Sequence, residues 1–302
     1  MSNFSHFIDK LKAYMMPIAM LLGVCFHKQV AYFSFLVPYL IFSMLLFTYM
    51  RISWRGMNFT LMHLKLLVIQ ILGSVLVFAI LFPFDKILAQ GIMICMLAPT
   101  ATSAPVIAGM LKGNVTSLIS YSLVSNFAVV IVAPVFFSWI GFHQLPFYTS
   151  AIQISQKVIL LLIGPLFLAM LFNKFLPKVS EVFQKKAQIS FYLWSLALVV
   201  VSGRTVEFII SQDKSNYTIE ILLAIFSFFV CVLQFWLGRK IGRKHQDTVA
   251  GGQGLGQKNT ILAIWMAQVY LNPIASIGPG AYVLWQNIIN SWQVWRNRKS
   301  LQ

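Results

Sequence analysis

The stretches LAPTATSAPVIAGMLKGN (residues 97–114) and TVAGGQGLGQKNTILAIW (residues 248–265) decide the fold, because each is an apolar segment interrupted by helix-breaking residues. Pro99 and Pro105 interrupt the first stretch, and glycines crowd the second. Proline removes a backbone donor and clashes with the preceding turn, and glycine destabilises a helix interior. Non-helical backbone at membrane depth persists only where it is buried in protein or lines a wet cavity. The two stretches therefore predict two broken helices inside a membrane protein.

The composition of the whole chain also indicates a membrane protein. Of its 302 residues, 59% are hydrophobic and only 10% are charged, whereas a soluble domain carries about 25% charged residues. The net charge of +16 resides in short loops between apolar stretches, which indicates orientation in a bilayer rather than nucleic-acid binding. We therefore expect the protein to lie in a lipid bilayer as a monomer or a homodimer, and we expect no nucleic-acid partner.

About ten segments are long and apolar enough to be transmembrane helices, which need roughly 20 mostly apolar residues each. The fold class that this predicts is an all-α membrane protein. The predicted spans are residues 12–26, 30–50, 64–83, 87–111, 115–140, 153–173, 188–206, 218–238, 247–270 and 278–295.

The basic residues set the expected orientation of these spans. With the N-terminus in the cytosol, 17 Lys and Arg residues fall in inside segments and 5 in outside segments, and Lys258 lies within the ninth span. Lysine and arginine are enriched on the cytoplasmic side. We therefore expect both termini to be cytoplasmic, as in a protein of the bacterial inner membrane.

The two interrupted stretches occupy corresponding places, since each is the fourth span of its half. Such a pair indicates an inverted-repeat transporter with a binding site near the bilayer midplane. The predicted repeats are residues 1–145 (helices 1–5) and 146–302 (helices 6–10), with the broken fourth and ninth helices crossing at the midplane. The alternative is two kinked helices that are unrelated.

The acidic residues restrict the chemistry. All seven Asp and Glu residues fall in loops or at helix ends on this map, which argues against a proton relay built on a buried carboxylate and against a membrane protease. No metal-ligand spacing occurs and no cofactor is expected. An enzyme using Lys258 as nucleophile or base lacks a second catalytic group, so we expect a non-enzyme.

Three motifs resemble the bile acid:sodium symporter family. The segment A-P-T-A-T-S-A-P-V (98–106), followed by K-G-N-V (112–115), is similar to that family's fourth helix. The segment G-Q-K-N-T (256–260) is similar to its ninth helix, and P-G-A (279–281) with Trp285 and Asn287 to its tenth. The resemblance implies a core domain of helices 3–5 and 8–10, a panel domain of helices 1, 2, 6 and 7, and transport by alternating access.

Several positions depart from the residues that hold sodium in that family. The resemblance places Ala104 and Pro105 where a Ser-Asn pair binds one ion, and Gly254 where a glutamate binds both. Two hydroxyl positions of the fifth helix correspond to Leu118 and Ser122, a glutamine of the ninth helix to Lys258, and a glutamine of the third helix to Gln70.

Lys258 is therefore the central prediction. We expect its ammonium to replace a sodium ion and to attract an anionic substrate, so that sodium coupling is doubtful and transport is uniport or proton-linked. The alternatives are that Lys258 extends to the interface or bonds only to backbone carbonyls. The predicted ion or ion-replacing residues are Lys258, Gln70, Ser122 and Gln257.

The predicted function is secondary transport of a small organic anion. A sodium-coupled symporter of the ordinary family type and a solute-binding sensor without flux are the alternatives. Thr100, Thr102 and Ser103 could instead satisfy carbonyls freed by the prolines, and Asn126 and Asn287 could join helices. The predicted substrate-binding residues are Thr100, Thr102, Ser103, Pro105, Asn126, Gln257, Lys258, Asn259, Thr260 and Asn287.

Overall fold

The computed structural model describes residues 18–50, 57–141, 146–185, 188–211 and 217–299, and these residues form helices without β-strands. The helices are α1 (18–25), α2 (His27–Ala31), α3 (Val37–Tyr49), α4 (Leu61–Leu81), α5 (Lys86–Leu97), α6 (Ala104–Met110), α7 (Val115–Ile140), α8 (Phe147–Leu162), α9 (Gly164–Phe175), α10 (Pro177–Lys185), α11 (Gln188–Ile210), α12 (Tyr217–Lys244), α13 (Thr248–Gly256), α14 (Thr260–Tyr270) and α15 (Ile277–Lys299), with 3₁₀ turns at Tyr32–Leu36 and Pro273–Ser276.

Five helical stretches of the described chain are long and apolar enough to cross a membrane. They are His27–Tyr49, Leu61–Leu81, Val115–Ile140, Phe147–Phe175 and Tyr217–Lys244. The prediction of a helical membrane protein is thereby confirmed. Shorter apolar helices, α5 and α14, belong to the two interrupted stretches. Part of the predicted span 12–26 lies outside the described residues.

The chain divides into two compact units. The first contains Met1–Met50 and Pro165–Asp213, and the second contains Arg51–Gly164 and Lys214–Gln302. In the first unit, α11 packs against α2 and α3. A Cβ atom on Gly23 would lie 2.6 Å from the Val199 carbonyl oxygen, so glycine permits the close approach of α1 and α11. His27 Nδ1 also pairs with the Glu207 carboxylate.

In the second unit, α13 packs along α12 with glycine against glycine. A Cβ on Gly251 would lie 2.4 Å from the Gly238 carbonyl oxygen, and a Cβ on Gly242 would lie 2.4 Å from the Asp247 carbonyl oxygen. No larger residue fits between these backbones without moving a helix. Small residues at such contacts are the usual means of close helix packing in membranes. This packing holds the second interrupted stretch firmly against α12.

Candidate functional site

The two interrupted stretches meet where their helices stop. The helix α5 ends at Leu97 and α6 begins at Ala104, while α13 ends at Gly256 and α14 begins at Thr260. The intervening segments pair as an antiparallel bridge between Thr100 and Lys258. Two backbone hydrogen bonds join them: Ala101 N–H to the Gln257 oxygen at 2.9 Å and Asn259 N–H to the Pro99 oxygen at 2.8 Å. The crossing thus satisfies backbone groups that lipid could not.

Lys258 is enclosed at this crossing. Its side chain is only 1% exposed, and its Nζ donates to the Met96 carbonyl oxygen at 2.8 Å. Its backbone N–H donates to Gln286 Oε1 at 2.9 Å. The Nζ therefore does not extend to the interface, and it lies at the last turn of α5. Free carbonyls give a helix C-terminus partial negative charge, which favours a cation there.

Two glutamines satisfy the neighbouring carbonyls of the same turn. Gln70 Nε2 donates to the Leu97 oxygen at 2.7 Å and to the Ala98 oxygen at 3.3 Å. Gln234 Nε2 donates to the Cys95 oxygen at 3.2 Å. Gln70 of α4, Gln234 of α12 and Lys258 of the second break thus form a polar cap on the end of α5.

Gln70 also connects the cap to α7. Its Oε1 accepts from Tyr121 Oη at 2.9 Å and from Ser125 Oγ at 2.8 Å. Ser125 Oγ in turn accepts from the Thr100 N–H at 3.3 Å. All four residues are buried, so the network is closed to solvent and fixes the position of the first break.

The end of α13 is satisfied in a similar way. Thr100 Oγ1 donates to the Gly254 oxygen at 2.7 Å, and Tyr282 Oη donates to the Gly256 oxygen at 2.8 Å. Each break therefore supplies one side chain to the helix end of the other stretch: Thr100 contacts α13, and Lys258 contacts α5. The hydroxyl of Thr100 satisfies a carbonyl of the second stretch, not one freed by the prolines of its own stretch.

The space beside Gly254 is occupied by Tyr121. A Cβ on Gly254 would lie 2.7 Å from Tyr121 Cδ1 and 3.2 Å from Tyr121 Cε1. A glutamate at this position would therefore require the tyrosine ring to leave. Because the ring also carries the hydroxyl that donates to Gln70, the substitution would disturb the network described above.

The polar groups of the first break differ in exposure. Ser103 is exposed, while Thr102 and Pro105 are half-buried. Gln257 Nε2 donates to Ser103 Oγ at 2.9 Å, and Gln257 Oε1 is buried without a partner among the described residues. Gln257 and Ser103 thus form the polar pair through which the crossing reaches an exposed surface.

Of the remaining predicted residues, Asn259 joins the crossing through its backbone N–H, whereas the side chains of Asn126 and Asn287 bond within their own helices. Asn259 Oδ1 accepts from the Leu262 N–H at 3.3 Å and so caps α14, which begins at the buried Thr260. Asn126 and Asn287 each donate to a carbonyl of their own helix, four residues earlier. Ser122 is half-buried and supplies the carbonyl to which Asn126 donates.

Several residues of the network were absent from the sequence prediction: Tyr121, Ser125, Gln234, Tyr282 and Gln286. Each is a polar side chain within a helix, but α7, α12 and α15 carry other polar residues as well. The sequence therefore did not distinguish these five from their polar neighbours. The resemblance directed attention to Leu118 and Ser122 on α7 instead, whereas Tyr121 and Ser125 are the α7 side chains that contact Gln70.

Comparison with known proteins identifies the family. A family model described as "Sodium Bile acid symporter family" matches residues 38–212, which is more than half of the chain. No curated protein matches the chain. The matched region includes the first interrupted stretch and Gln70, so the resemblance that the motifs indicated is confirmed.

Proposed function

We propose that this chain, which belongs to the sodium bile acid symporter family, is a secondary transporter of a small organic anion in which Lys258 replaces a sodium ion. Members of the family are transmembrane transporters and not enzymes, so the chain is an integral, multi-pass membrane protein of a lipid bilayer.

The observation that carries the proposal is the contact between Lys258 Nζ and the Met96 oxygen, inside the crossing. In transporters of this architectural type, unwound carbonyls and half-helix C-terminal ends coordinate the coupling cation. An ammonium at such an end supplies one positive charge to the carbonyls. The alternative for Lys258 was that it only bonds to backbone carbonyls. Replacement of a sodium ion is compatible with such bonds, because a sodium ion would be held by the same oxygens.

Electrostatics disfavours a sodium ion beside this lysine. Two unit charges 4 Å apart repel by about 4 kcal/mol at an effective dielectric constant of 20. The glutamate that would offset this repulsion is replaced by Gly254, and Tyr121 fills the adjoining space. Ala104 and Pro105, at the other positions where the resemblance implies ligands, have no side-chain oxygen. These features support sodium-independent transport.

The exposed part of the crossing supports an anionic substrate. Ser103 and Thr102 carry hydroxyl donors and follow Thr100, which is bridged to the buried Lys258. A carboxylate or sulfonate could accept from these hydroxyls while Lys258 contributes its field from within the protein. We assign direct contact to Ser103, Thr102 and Gln257, and long-range attraction to Lys258.

We further propose two inverted five-helix repeats and alternating access. The succession of helices supports the repeats, because the fourth predicted span of each half is interrupted: α5 and α6 in the first half, and α13 and α14 in the second. The division into two units supports a panel and a core, with one difference from the predicted grouping. The boundary after Gly164 falls within the sixth span (153–173), so that α8 groups with the core helices and α9 with the panel helices. We also propose that both termini are cytoplasmic and that the protein lies in a bacterial inner membrane.

A sodium-coupled symporter of the ordinary type is the second candidate, and the family match favours it. The two candidates differ in one measurable property. Uptake by the sodium-coupled protein requires a sodium gradient, whereas uptake governed by Lys258 proceeds equally in potassium. A protein that binds an anion but never accumulates it would be a sensor.

The experiment combines binding and transport. The purified protein is melted in detergent against a panel of organic anions, in sodium and in potassium at equal ionic strength, and the stabilising anion is then followed into proteoliposomes. We expect equal stabilisation and uptake in both salts. Stabilisation in sodium alone would refute the replacement of sodium by Lys258.

Variants test the lysine itself. Lys258→Ala is expected to abolish uptake, and Lys65→Ala, the same change at an exposed lysine of α4, serves as the matched control. A chain carrying Lys258→Gln, Gly254→Glu and Tyr121→Ala should gain a sodium-dependent rise in melting temperature, since it removes the cation, adds a carboxylate and makes room for it. Uptake by Lys258→Ala equal to that of the control would contradict the proposal.

A further inference from the structure

Two helices of the second unit carry similar exposed stripes that end in a positive charge. On α12 the stripe is Phe228, Val232, Trp236 and Lys240, and on α15 it is Leu284, Ile288, Trp292 and Arg296. Residues four apart lie on one face of a helix. The apolar members are between 38% and 58% exposed. Each stripe therefore presents an apolar track, then a tryptophan, then a cation.

The last two residues of each stripe are in contact. Lys240 Nζ lies 4.8 Å from the centroid of the Trp236 ring, and the Arg296 guanidinium lies 5.4 Å from that of Trp292. Tryptophan prefers the level of the lipid headgroups, where its ring is in apolar surroundings and its N–H is hydrated. The cations beyond the tryptophans are thus at headgroup depth.

The two helices lie side by side and run in the same direction. Near their beginnings, Trp285 Nε1 of α15 donates to the Ala224 oxygen of α12 at 3.0 Å. Near their ends, Arg239 Nη1 of α12 donates to Gln293 Oε1 of α15 at 3.4 Å. The charged ends of both stripes are therefore at the same end of the unit.

Additional positive charge accumulates at this end. The Arg239 guanidinium is within electrostatic range of those of Arg243 and Arg296. Among the described residues, no carboxylate lies within ion-pair distance of these arginines. This is also true of Asp247, which lies in the loop after α12. The repulsion between like charges remains uncompensated within the described chain, and a bound anion would relieve it.

We propose that the charged ends of α12 and α15 form a binding site for an anionic phospholipid. The lipid phosphate would contact Arg239, Arg243 and Arg296, and the acyl chains would lie along the two apolar stripes. Basic pockets between transmembrane helices bind acidic lipid headgroups in this way. The tracks that lead from the charges into the apolar region favour a lipid over a free anion. The site is separate from the crossing at Lys258.

The test measures lipid binding by thermal unfolding of the full chain in neutral detergent. The probes are dioleoyl phosphatidylglycerol, dioleoyl phosphatidylcholine and inorganic phosphate. We expect phosphatidylglycerol to raise the melting temperature, with little effect from the other two. A basic side chain near an anionic headgroup contributes about fivefold in affinity. The variant Arg239→Gln/Arg243→Gln/Arg296→Gln should therefore need about a hundredfold more phosphatidylglycerol for half-maximal effect.

A matched control removes the same charge elsewhere. The exposed lysines Lys28, Lys86 and Lys157, replaced by glutamine, should leave the phosphatidylglycerol response unchanged. Because Arg243 and Arg296 are exposed, their single glutamine variants keep the fold, and each should weaken binding about fivefold. An unchanged response in these single variants would overturn the proposal. So would an equal effect of phosphatidylcholine, or a phosphate effect as large as that of phosphatidylglycerol.

Discussion

Replacing Lys258 by methionine keeps most of the side-chain volume and removes only the charge and its donors. The loss on one side is the charge-assisted hydrogen bond to the Met96 oxygen, about 1.5–3 kcal/mol, and the favourable position at a helix C-terminus, up to about 2 kcal/mol. The gain is relief from burying an ammonium that is 1% exposed, a penalty of several kcal/mol. The opposing contributions nearly cancel.

We therefore expect Lys258→Met to change the free energy of unfolding by no more than about 2 kcal/mol in either direction, while uptake of the organic anion is lost. Lys258→Ala should be less stable than Lys258→Met by about 2–5 kcal/mol, because it also leaves a cavity. Chemical unfolding in micelles and uptake into proteoliposomes measure the two quantities on the same preparations.

Two results would refute this reasoning. A methionine variant that transports like the wild type would show that the charge has no role in transport. A methionine variant destabilised by more than about 4 kcal/mol would show that the ammonium is mainly a structural cap on α5, since the hydrogen bond and the helix end would then outweigh the cost of burial. The alanine variant is measured beside the methionine variant, because the difference between their stabilities gives the cost of the cavity separately from the cost of losing the charge.

Other substitutions test the packing of the crossing. Gly254→Glu alone should unfold at a lower temperature because its Cβ would lie 2.7 Å from the Tyr121 ring, and adding Tyr121→Ala should recover part of the loss. Gln70→Leu should cost about 3 kcal/mol or more, since it leaves buried carbonyls and hydroxyls unpaired, and a loss below about 1 kcal/mol in chemical unfolding would contradict the network. Gly251→Ala should lower the melting temperature because its Cβ meets a backbone oxygen of α12 at 2.4 Å, whereas Gly280→Ala, with nothing within 4 Å, should be neutral or slightly stabilising.

The sequence predicted the helical membrane fold because length and hydropathy alone determine it. The first break was predictable, since Pro99 cannot continue an apolar helix. The second break lies at Gln257–Asn259, after the glycines, which continue as helix α13 and pack against α12. The glycines therefore indicated the neighbourhood of the second break but are not its cause. Helix bounds were less accurate: α12 continues to Lys244, beyond the predicted end at residue 238. Snorkelling lysine and arginine side chains let such a helix extend past its apolar part.

The candidate site was predicted less completely. Lys258 was recognisable because a charge in an apolar span is costly and rare. Its partner, the carbonyl of Met96, was not recognisable, because every residue has a carbonyl and only the fold selects one. Tyr121 was missed for a related reason: its role depends on the absence of a side chain at Gly254, which no spacing within the sequence reveals.

The bridge between the two breaks also has a consequence for biosynthesis. The Met96 carbonyl and the Lys258 ammonium are 162 residues apart in the chain. At about 5–20 residues per second, roughly 8–32 s pass after synthesis of α5 before its partner leaves the ribosome. During that interval the Met96 carbonyl lacks Lys258. Gln70, which precedes α5 in the chain and bonds to the Leu97 oxygen, is already present. We therefore expect this helix end to stay in contact with water or with the insertion machinery until the second half of the chain arrives.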